Sequence, residues 1–432
     1  RSSDSNQLLL EASRLSVNHW RAALLEKLNR VLTDSPHLPL IEGLAVGNRD
    51  GMQSYQWDTL RQTGTSHLLA ISGLHIGLAA ALGFFISRML WRLRSRQLLL
   101  LTDKQAGGIG GMILATFYAL LAGLSIPTQR ALVMVVVVML SIYIKRRVDS
   151  IQVLSVSLIL VLIMDPFAVL SAGFWLSFTA VACILYIAQY RHPPGKYLWL
   201  HIHFWIAAGL TPLLLLFFQE TSFIAPLANL LAVPLVSLII VPLLLLSMLL
   251  LNLNITIASW TLQLTNQLLA WLWAFLDYLA QLPFSIWQPP TIPISLLALL
   301  LTGIVLLLAP RGWPLRWLSI VFMLPILFFT PKHPEPAEIW FTLLDVGQGL
   351  SAVIQTHQHT LVFDAGPSFG EFDTGAAVVV PFLRHQGIKS VDTLLISHGD
   401  NDHIGGAKSV LKALPVKQIL SSDAKQLPNS KL

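Results

Sequence analysis

Ser397-His398-Gly399-Asp400-Asn401-Asp402-His403, followed at once by Ile404-Gly405-Gly406, packs two histidines and two aspartates into seven residues. The run before it, Val391 to Ile396, reads as a strand, so the cluster sits on a loop between a strand end and a Gly-Gly turn. Neutral imidazoles and carboxylates on a short rigid loop are what a pair of metals needs to activate one water. His398, Asp400, Asp402 and His403 are therefore the candidate metal ligands. The bland alternative is a solvated loop that merely contains two histidines and two aspartates; the flanking strand and the Gly-Gly turn weigh against it. His357 and His359 sit on a turn between strands and read as surface residues.

The chain ahead of this loop has a different solvent. Of 432 residues, 54% are hydrophobic and 12% charged, against ~25% charged in soluble domains. Between 67 and 330 there are ten apolar segments: 67–87, 106–123, 126–144, 151–164, 167–189, 198–218, 223–251, 255–281, 293–309 and 315–330. Recurrent runs of this length mark a polytopic helical membrane protein. The single cysteine, Cys183, lies inside one of them, which excludes a disulfide scaffold and a cysteine-based zinc motif.

Charge is distributed unevenly. Lys and Arg against Asp and Glu number 7 to 7 over residues 1–66, 13 to 5 over 67–330, and 8 to 10 over 331–432. The basic residues Arg88, Arg92, Arg94, Arg96 and Lys104 follow the first segment. Lys145, Arg146 and Arg147 follow the third, Arg191 and Lys196 the fifth, and Arg311 and Arg316 the ninth. If ten segments alternate, all these loops share one side, and positive loops stay cytoplasmic. Residues 1–66, a polar and amphipathic helical region with Leu8, Leu15, Leu24, Leu25, Leu28 and Leu32 at helical spacing, then lie on the non-cytoplasmic side, as does the tail. A proline-rich linker, 331–338, closes the membrane part. Beyond it, Ile339 to Leu344, Ala352 to Gln355 and Thr360 to Phe363 read as strands and Ala376 to Gln386 as a helix, an α/β pattern over 339–432.

Several polar residues enter the apolar segments, where polarity defaults to a functional hypothesis. His67, Ile71 and His75 follow i, i+4 spacing, which puts both histidines on one helix flank. Gly73, Gly77 and Ala81 form a small-residue ridge suited to close helix packing. Arg130 is the one basic residue of the membrane region outside the cytoplasmic loops, and an arginine there suits bidentate phosphate binding. Over 255–281, Thr256, Ser259, Gln263, Asn266, Gln267, Ala270, Ala274, Asp277 and Gln281 share a stripe of roughly 100°. Such a stripe fits the wall of a hydrated path; a helix lying in the interface plane is the competing reading. Residues 223–251, with Pro226, Asn229, Pro234 and Pro242, read as a broken helix.

Two resemblances follow. The metal loop resembles that of the metallo-β-lactamase superfamily, His-x-His-x-Asp-His, with Asp400 where the second histidine stands. By that resemblance His398 and Asp400 serve one metal and Asp402 and His403 the other, two divalent ions (zinc or manganese), with Asp402 orienting the attacking water. Asp364-Ala365-Gly366 and Leu344-Asp345-Val346-Gly347-Gln348-Gly349 match earlier strands of that fold, whose remaining ligands come from later strands than this chain contains. His67 to His75, Pro127-Thr128-Gln129-Arg130-Ala131, and Asp165-Pro166 with Gly173-Phe174-Trp175-Leu176-Ser177-Phe178 are similar to the competence domain of ComEC-type DNA-uptake proteins.

The expected fold is a polytopic α-helical membrane domain of about ten segments (67–330) plus a partial α/β metallo-β-lactamase-like domain, truncated at both ends relative to the family. The resemblance implies a multi-pass channel in the bacterial inner (cytoplasmic) membrane that takes up single-stranded DNA during transformation. Its outward-facing domain would degrade the other strand as a metal-dependent nuclease. Implied partners are single-stranded DNA, the membrane, a DNA receptor, and cytoplasmic ATP-driven or strand-binding competence proteins. The chain has no Gly-x-x-x-x-Gly-Lys-Ser/Thr loop, so an ATP-driven motor would be a separate protein. Arg130, Gln263, Asn266, Gln267, Asp277, His67 and His75 are the candidate DNA-path residues. The alternatives are a membrane-anchored hydrolase of a lipid-linked or periplasmic substrate, and an inactive fragment of a split gene.

Overall fold

The computed structural model describes residues 16–69, 71–93, 101–145, 148–190, 198–310, 312–370 and 372–422. Leu8 and Leu15, and the loop residues Arg94, Arg96, Arg146, Arg147, Arg191, Lys196 and Arg311, lie outside them. The chain divides into two compact units, Arg1–Leu213 with Ser222–Ile286, and Leu214–Thr221 with Trp287–Leu432.

The first unit is helical. In chain order it holds α1 (Val17–Val31), α2 (Leu38–Val46), α3 (Ser54–Gln62), α4 (Ser66–Leu69), α5 (Gly73–Arg92), α6 (Asp103–Leu121), α7 (Ile126–Tyr143), α8 (Ser150–Met164), α9 (Ala172–Tyr190), most of α10 (Leu198–Phe218), α11 (Ala225–Pro234), α12 (Val241–Leu250) and α13 (Ile255–Ala280). Among the described residues, five helices are long and apolar enough to cross a bilayer: α5, α7, α9, α10 and the continuous run Ala225–Leu250. The other apolar segments also carry helices, but α8, at 15 residues, is among the shorter ones. Side chains such as Phe85, Met89, Ile151 and Ile163 project outward from α5 and α8, as lipid-facing positions should.

Three sequence expectations change here. The run from His67 to His75 is not one helix: α4 stops at Leu69 and α5 restarts at Gly73 with Ser72 as its extended N-cap. The two histidines therefore do not share a helix flank. The Gly73–Gly77–Ala81 ridge does not carry the close packing either, since a Cβ on Gly77 would meet nothing within 4 Å. The tight contact lies further along α5, where Gly83, Gly107, Gly110 and Gly111 bring the backbones of α5 and α6 together. The proline-rich run 223–251 stays helical, with a π turn at Leu235–Ile240 joining α11 to α12. A wider turn there accommodates the Pro242 ring, which would clash with the carbonyl of Leu238 in an α-helix.

The largest core of this unit joins α2, α12 and α13. Ile41, Leu44, Leu244 and Leu262 lie at its centre, so α2 packs as a buried element although it falls within the polar 1–66 region. The face of α13 turned inward carries Ala258, Leu262, Thr265, Leu269, Leu272 and Leu276, at the 3–4 residue spacing of one helix side.

The second unit contains α14 (Ile294–Leu308), α15 (Leu318–Met323) and an α/β fold. The two-residue strands β1 (Thr221–Ser222) and β2 (Ile286–Trp287) fall at the unit boundaries; within the second unit follow β3 (Trp340–Leu343), β4 (Ala352–Gln355), β5 (Thr360–Phe363), β6 (Ser368–Phe369) and β7 (Phe372–Asp373). Then follow α16 (Val380–His385), β8 (Val391–Ile396), α17 (Asn401–Ile404), α18 (Ala407–Ala413) and β9 (Val416–Ser421). The main sheet has the order β3-β4-β5-β8-β9, antiparallel at β3–β4–β5 and parallel at β5–β8–β9. Val353, Val362 and Leu394 are fully buried on one face, packed with Val379, Leu383 and Val410. Each such side chain contributes about 1.5–3 kcal/mol by burial.

Asp392 ties three of these strands, accepting from the Thr360 N–H (2.8 Å) and from Lys417 Nζ (2.6 Å). The Lys417 ammonium, and then the Thr360 amide, hold its carboxyl below the usual carboxylate range. A carboxyl so depressed stabilises the fold above its ordinary pKa, and that contribution is lost as pH falls through its lowered value.

Candidate functional site

The parallel pair β5–β8 brings two loops together at its carboxyl end. Asp364 follows β5 in the left-handed region (φ 54°), a conformation rare for a residue with a side chain. Its N–H donates to the Leu395 carbonyl (2.8 Å) and its carbonyl accepts from Ser351 Oγ (2.9 Å), which hold the turn in that shape. Strain of this kind persists where the surroundings over-determine it.

The Asp364 carboxylate is fully buried. It accepts from the Ser397 N–H (2.7 Å) at Oδ1, and from Ser397 Oγ (2.7 Å) and His403 Nδ1 (2.7 Å) at Oδ2. A carboxylate at hydrogen-bond distance fixes the proton of His403 on Nδ1 and leaves Nε2 as a lone-pair donor. Ser397 Oγ spends its hydrogen on Asp364, so it accepts from His398 Nδ1 at 3.0 Å, and His398 also presents Nε2. The two rings lie 3.9 Å apart between centroids.

Outward of the imidazoles stand the other two carboxylates. His403 Nε2 is 3.6 Å from Asp402 Oδ2, and His398 Nε2 is 3.4 Å from Asp400 Oδ2. Ligand atoms of His398, Asp402 and His403 lie within 4.8 Å of one another, which makes this the one such metal-type group among the described residues. Asp400, the extended N-cap of α17, is 78% exposed and stands outside that group. Two unprotonated Nε2 atoms and a carboxylate, with their opposite nitrogens anchored, are a donor set that fits a divalent ion. His357 and His359 are exposed and far from it in sequence role: His357 Nδ1 bonds the Pro334 carbonyl (3.0 Å), and His359 sits beside Asp392.

The loop is held by close backbone contact. Leu350 N–H donates to the Asp402 carbonyl (3.1 Å), Ala365 N–H to the His403 carbonyl (2.8 Å), and Gly406 N–H to the Gly366 carbonyl (3.0 Å). A Cβ on Gly405 would run into the Ser368 amide, and one on Gly406 into the Ala365 carbonyl and the Gly375 amide. That is the physical reason for Gly-Gly behind the candidate ligands. The sequence marks Asp364 only as part of an earlier strand of the fold and Ser397 not at all as a site residue; an aspartate at a strand end before Ala-Gly was the signal available.

The membrane-region candidates do not converge on one another in the same way. His75 is buried on α5; the Ser72 N–H donates to its Nδ1 (3.3 Å), so Nε2 carries the proton and donates to Ser237 Oγ at 3.3 Å. Ser237 lies in the π turn, which aims it there. His67 is exposed and bonds the Gly64 carbonyl through Nδ1 (3.1 Å). On α13, Gln263 and Gln267 are exposed, Asp277 accepts from Gln281 Nε2 (2.9 Å), and Asn266 accepts from Ser35 Oγ (2.6 Å). Arg130 is 3% exposed on α7.

Comparison with known proteins agrees with this division. The competence protein family model matches residues 44–314, well over half of the chain, and the metallo-β-lactamase superfamily model matches residues 344–430. Recombination protein 2 of Haemophilus influenzae is 30% identical over 95% of this chain and 56% of its own length. Competence protein ComA of Neisseria gonorrhoeae is 31% identical over 94% of this chain and 57% of its own length, and ComE operon protein 3 of Bacillus subtilis 29% over 88% and 50%. The chain thus spans about half the length of the curated relatives it matches. No solved structure matches it. The apolar helices and these relatives make it a membrane protein, and the metallo-β-lactamase match implies divalent metal binding. With its helical part and its metal-type loop matched in that order, the chain belongs to the competence protein family and carries a metallo-β-lactamase superfamily domain after the membrane helices.

Proposed function

We propose that this chain lines the path by which one strand of DNA crosses the bacterial inner membrane during natural transformation. The observation that carries the reading is the competence-family match over 44–314, because it covers the membrane helices themselves rather than the tail. A polyanion cannot cross hydrocarbon, so it needs a continuous polar wall. Gln263 and Gln267 on the exposed side of α13 supply part of one, with Asp277 further along the same helix. A DNA receptor outside and an ATP-driven or strand-binding protein inside complete the route. The double substitution Gln263→Leu with Gln267→Leu is expected to lower transformation while leaving the amount of protein in the membrane unchanged. Normal uptake by that variant would remove α13 from the path.

The tail faces the non-cytoplasmic side in this reading and degrades the strand that is not transported. His398, Asp402 and His403 would hold a divalent ion, and Asp400 stands beside His398 as a further carboxylate. When bound, the ion supplies a water nucleophile at neutral pH and polarises a phosphoryl oxygen. The chain's own part is to keep both Nδ1 protons on the Asp364–Ser397 side and to present Asp402 to the water. Asp402→Ala with His403→Ala is expected to slow release of labelled nucleotides from the degraded strand, with strand entry spared. An unchanged release rate counts against a nuclease role.

A further inference from the structure

Arg130 is a buried charge with no ion pair among the described residues. It sits in the second turn of α7, is 3% exposed, and its Nε and Nη1 are buried with no hydrogen-bond partner among the described residues. Its guanidinium lies against the start of α9: a Cβ built on Gly173, the second residue of that helix, would stand 3.1 Å from Arg130 Nη2. The first turn of this 19-residue helix carries partial positive charge; Ser171 Oγ accepts from the Phe174 N–H (3.2 Å), and the Ala172 and Gly173 N–H groups have no intrahelical acceptor. A buried guanidinium and a half-buried helix N-terminus thus meet with like sign. The one acidic residue of the α8–α9 connection, Asp165, does not offset them; it is exposed and its Oδ1 accepts from the Phe167 N–H (3.1 Å).

Two positive groups in contact with no carboxylate beside them are stabilised by an anion that touches both from the side, and planar guanidinium donors match phosphate oxygens in pairs. We propose that Arg130 and the first turn of α9 form a buried anion site that takes one phosphate group. Gly173 is what lets the guanidinium approach the helix end so closely. The phosphate belongs either to a phosphodiester of a passing strand, in which case the site rests on the strand-passage reading above, or to the headgroup of an anionic lipid.

The test uses the full chain in phosphatidylcholine nanodiscs, with a fluorescent oligothymidylate as probe and phosphatidylglycerol nanodiscs as the second arm. Arg130→Gln is expected to weaken oligothymidylate binding about tenfold or more and to reduce the salt slope of log K by about 0.7. Gly173→Ala, which retains the charge but pushes the guanidinium back, should show a smaller loss in the same direction, and Arg130→Lys an intermediate one. If the source is lipid, phosphatidylglycerol retained by the wild-type chain in native mass spectrometry is lost in Arg130→Gln instead. Unchanged oligothymidylate affinity, salt slope and phosphatidylglycerol retention in Arg130→Gln and Gly173→Ala overturn the site and leave the strand-passage reading intact. A chain that binds phosphate through Arg130 yet fails to restore transformation does the reverse.

Discussion

Replacing Asp364 by asparagine lowers the affinity of the loop for zinc or manganese by about 10–100-fold, the usual cost of losing a residue that orients a metal ligand. The change is isosteric, so the packing of the turn survives. Its effect is on protons. Asp364 Oδ2 now receives both Ser397 Oγ and His403 Nδ1. An amide nitrogen in that position donates instead, which moves the His403 proton to Nε2 and turns a ligand atom into a donor. Placing the amide oxygen there instead puts the NH2 group against the Ser397 N–H, a clash of two donors. Competition with a metallochromic chelator measures the affinity, and thermal unfolding shows whether the domain is intact. Equal affinity in the variant, with the fold retained, would mean that the loop does not depend on this proton arrangement.

Gly406→Ala acts on shape rather than on protons. The added methyl has nowhere to go, because the atoms it meets, the Ala365 carbonyl and the Gly375 amide and Cα, are all backbone. Backbone cannot swing aside as a flexible side chain does, so the turn after the ligands must move. The expected cost is about 3 kcal/mol, the upper part of the range for overpacked sites. It should appear as earlier thermal unfolding of the C-terminal unit and as protease cleavage near residues 397–406. A variant with unaltered unfolding and cleavage would show that the contact between the Gly405-Gly406 and Asp364-Ala365-Gly366 turns yields easily.

The strands around the metal loop were readable because each is a short apolar run bounded by turn residues. Ala352–Gln355, Thr360–Phe363 and Val391–Ile396 fall where the alternation ends them. The histidines of the first membrane segment were misread for an equally physical reason. Periodicity alone continues through Ile71-Ser72-Gly73, whereas a serine before a glycine and an apolar run also restarts a helix. In 223–251 the prolines signalled a break, but a π turn absorbs Pro242 without one. The polar stripe of α13 was legible from spacing, yet spacing could not tell that Ser35 takes up Asn266 while Gln263 and Gln267 stay exposed.

By itself the sequence determined that most of this protein is solvated by lipid and that its last part holds a metal-type loop. Both follow from composition and from residues adjacent in the chain. Only the tertiary structure decided which atoms of that loop have free lone pairs, because Asp364, more than thirty residues away, sets the Nδ1 proton of His403 directly and that of His398 through Ser397 Oγ. The same holds for Arg130. Its charge is plain in the sequence, but its burial without a counter-ion among the described residues depends on contacts that no local pattern encodes.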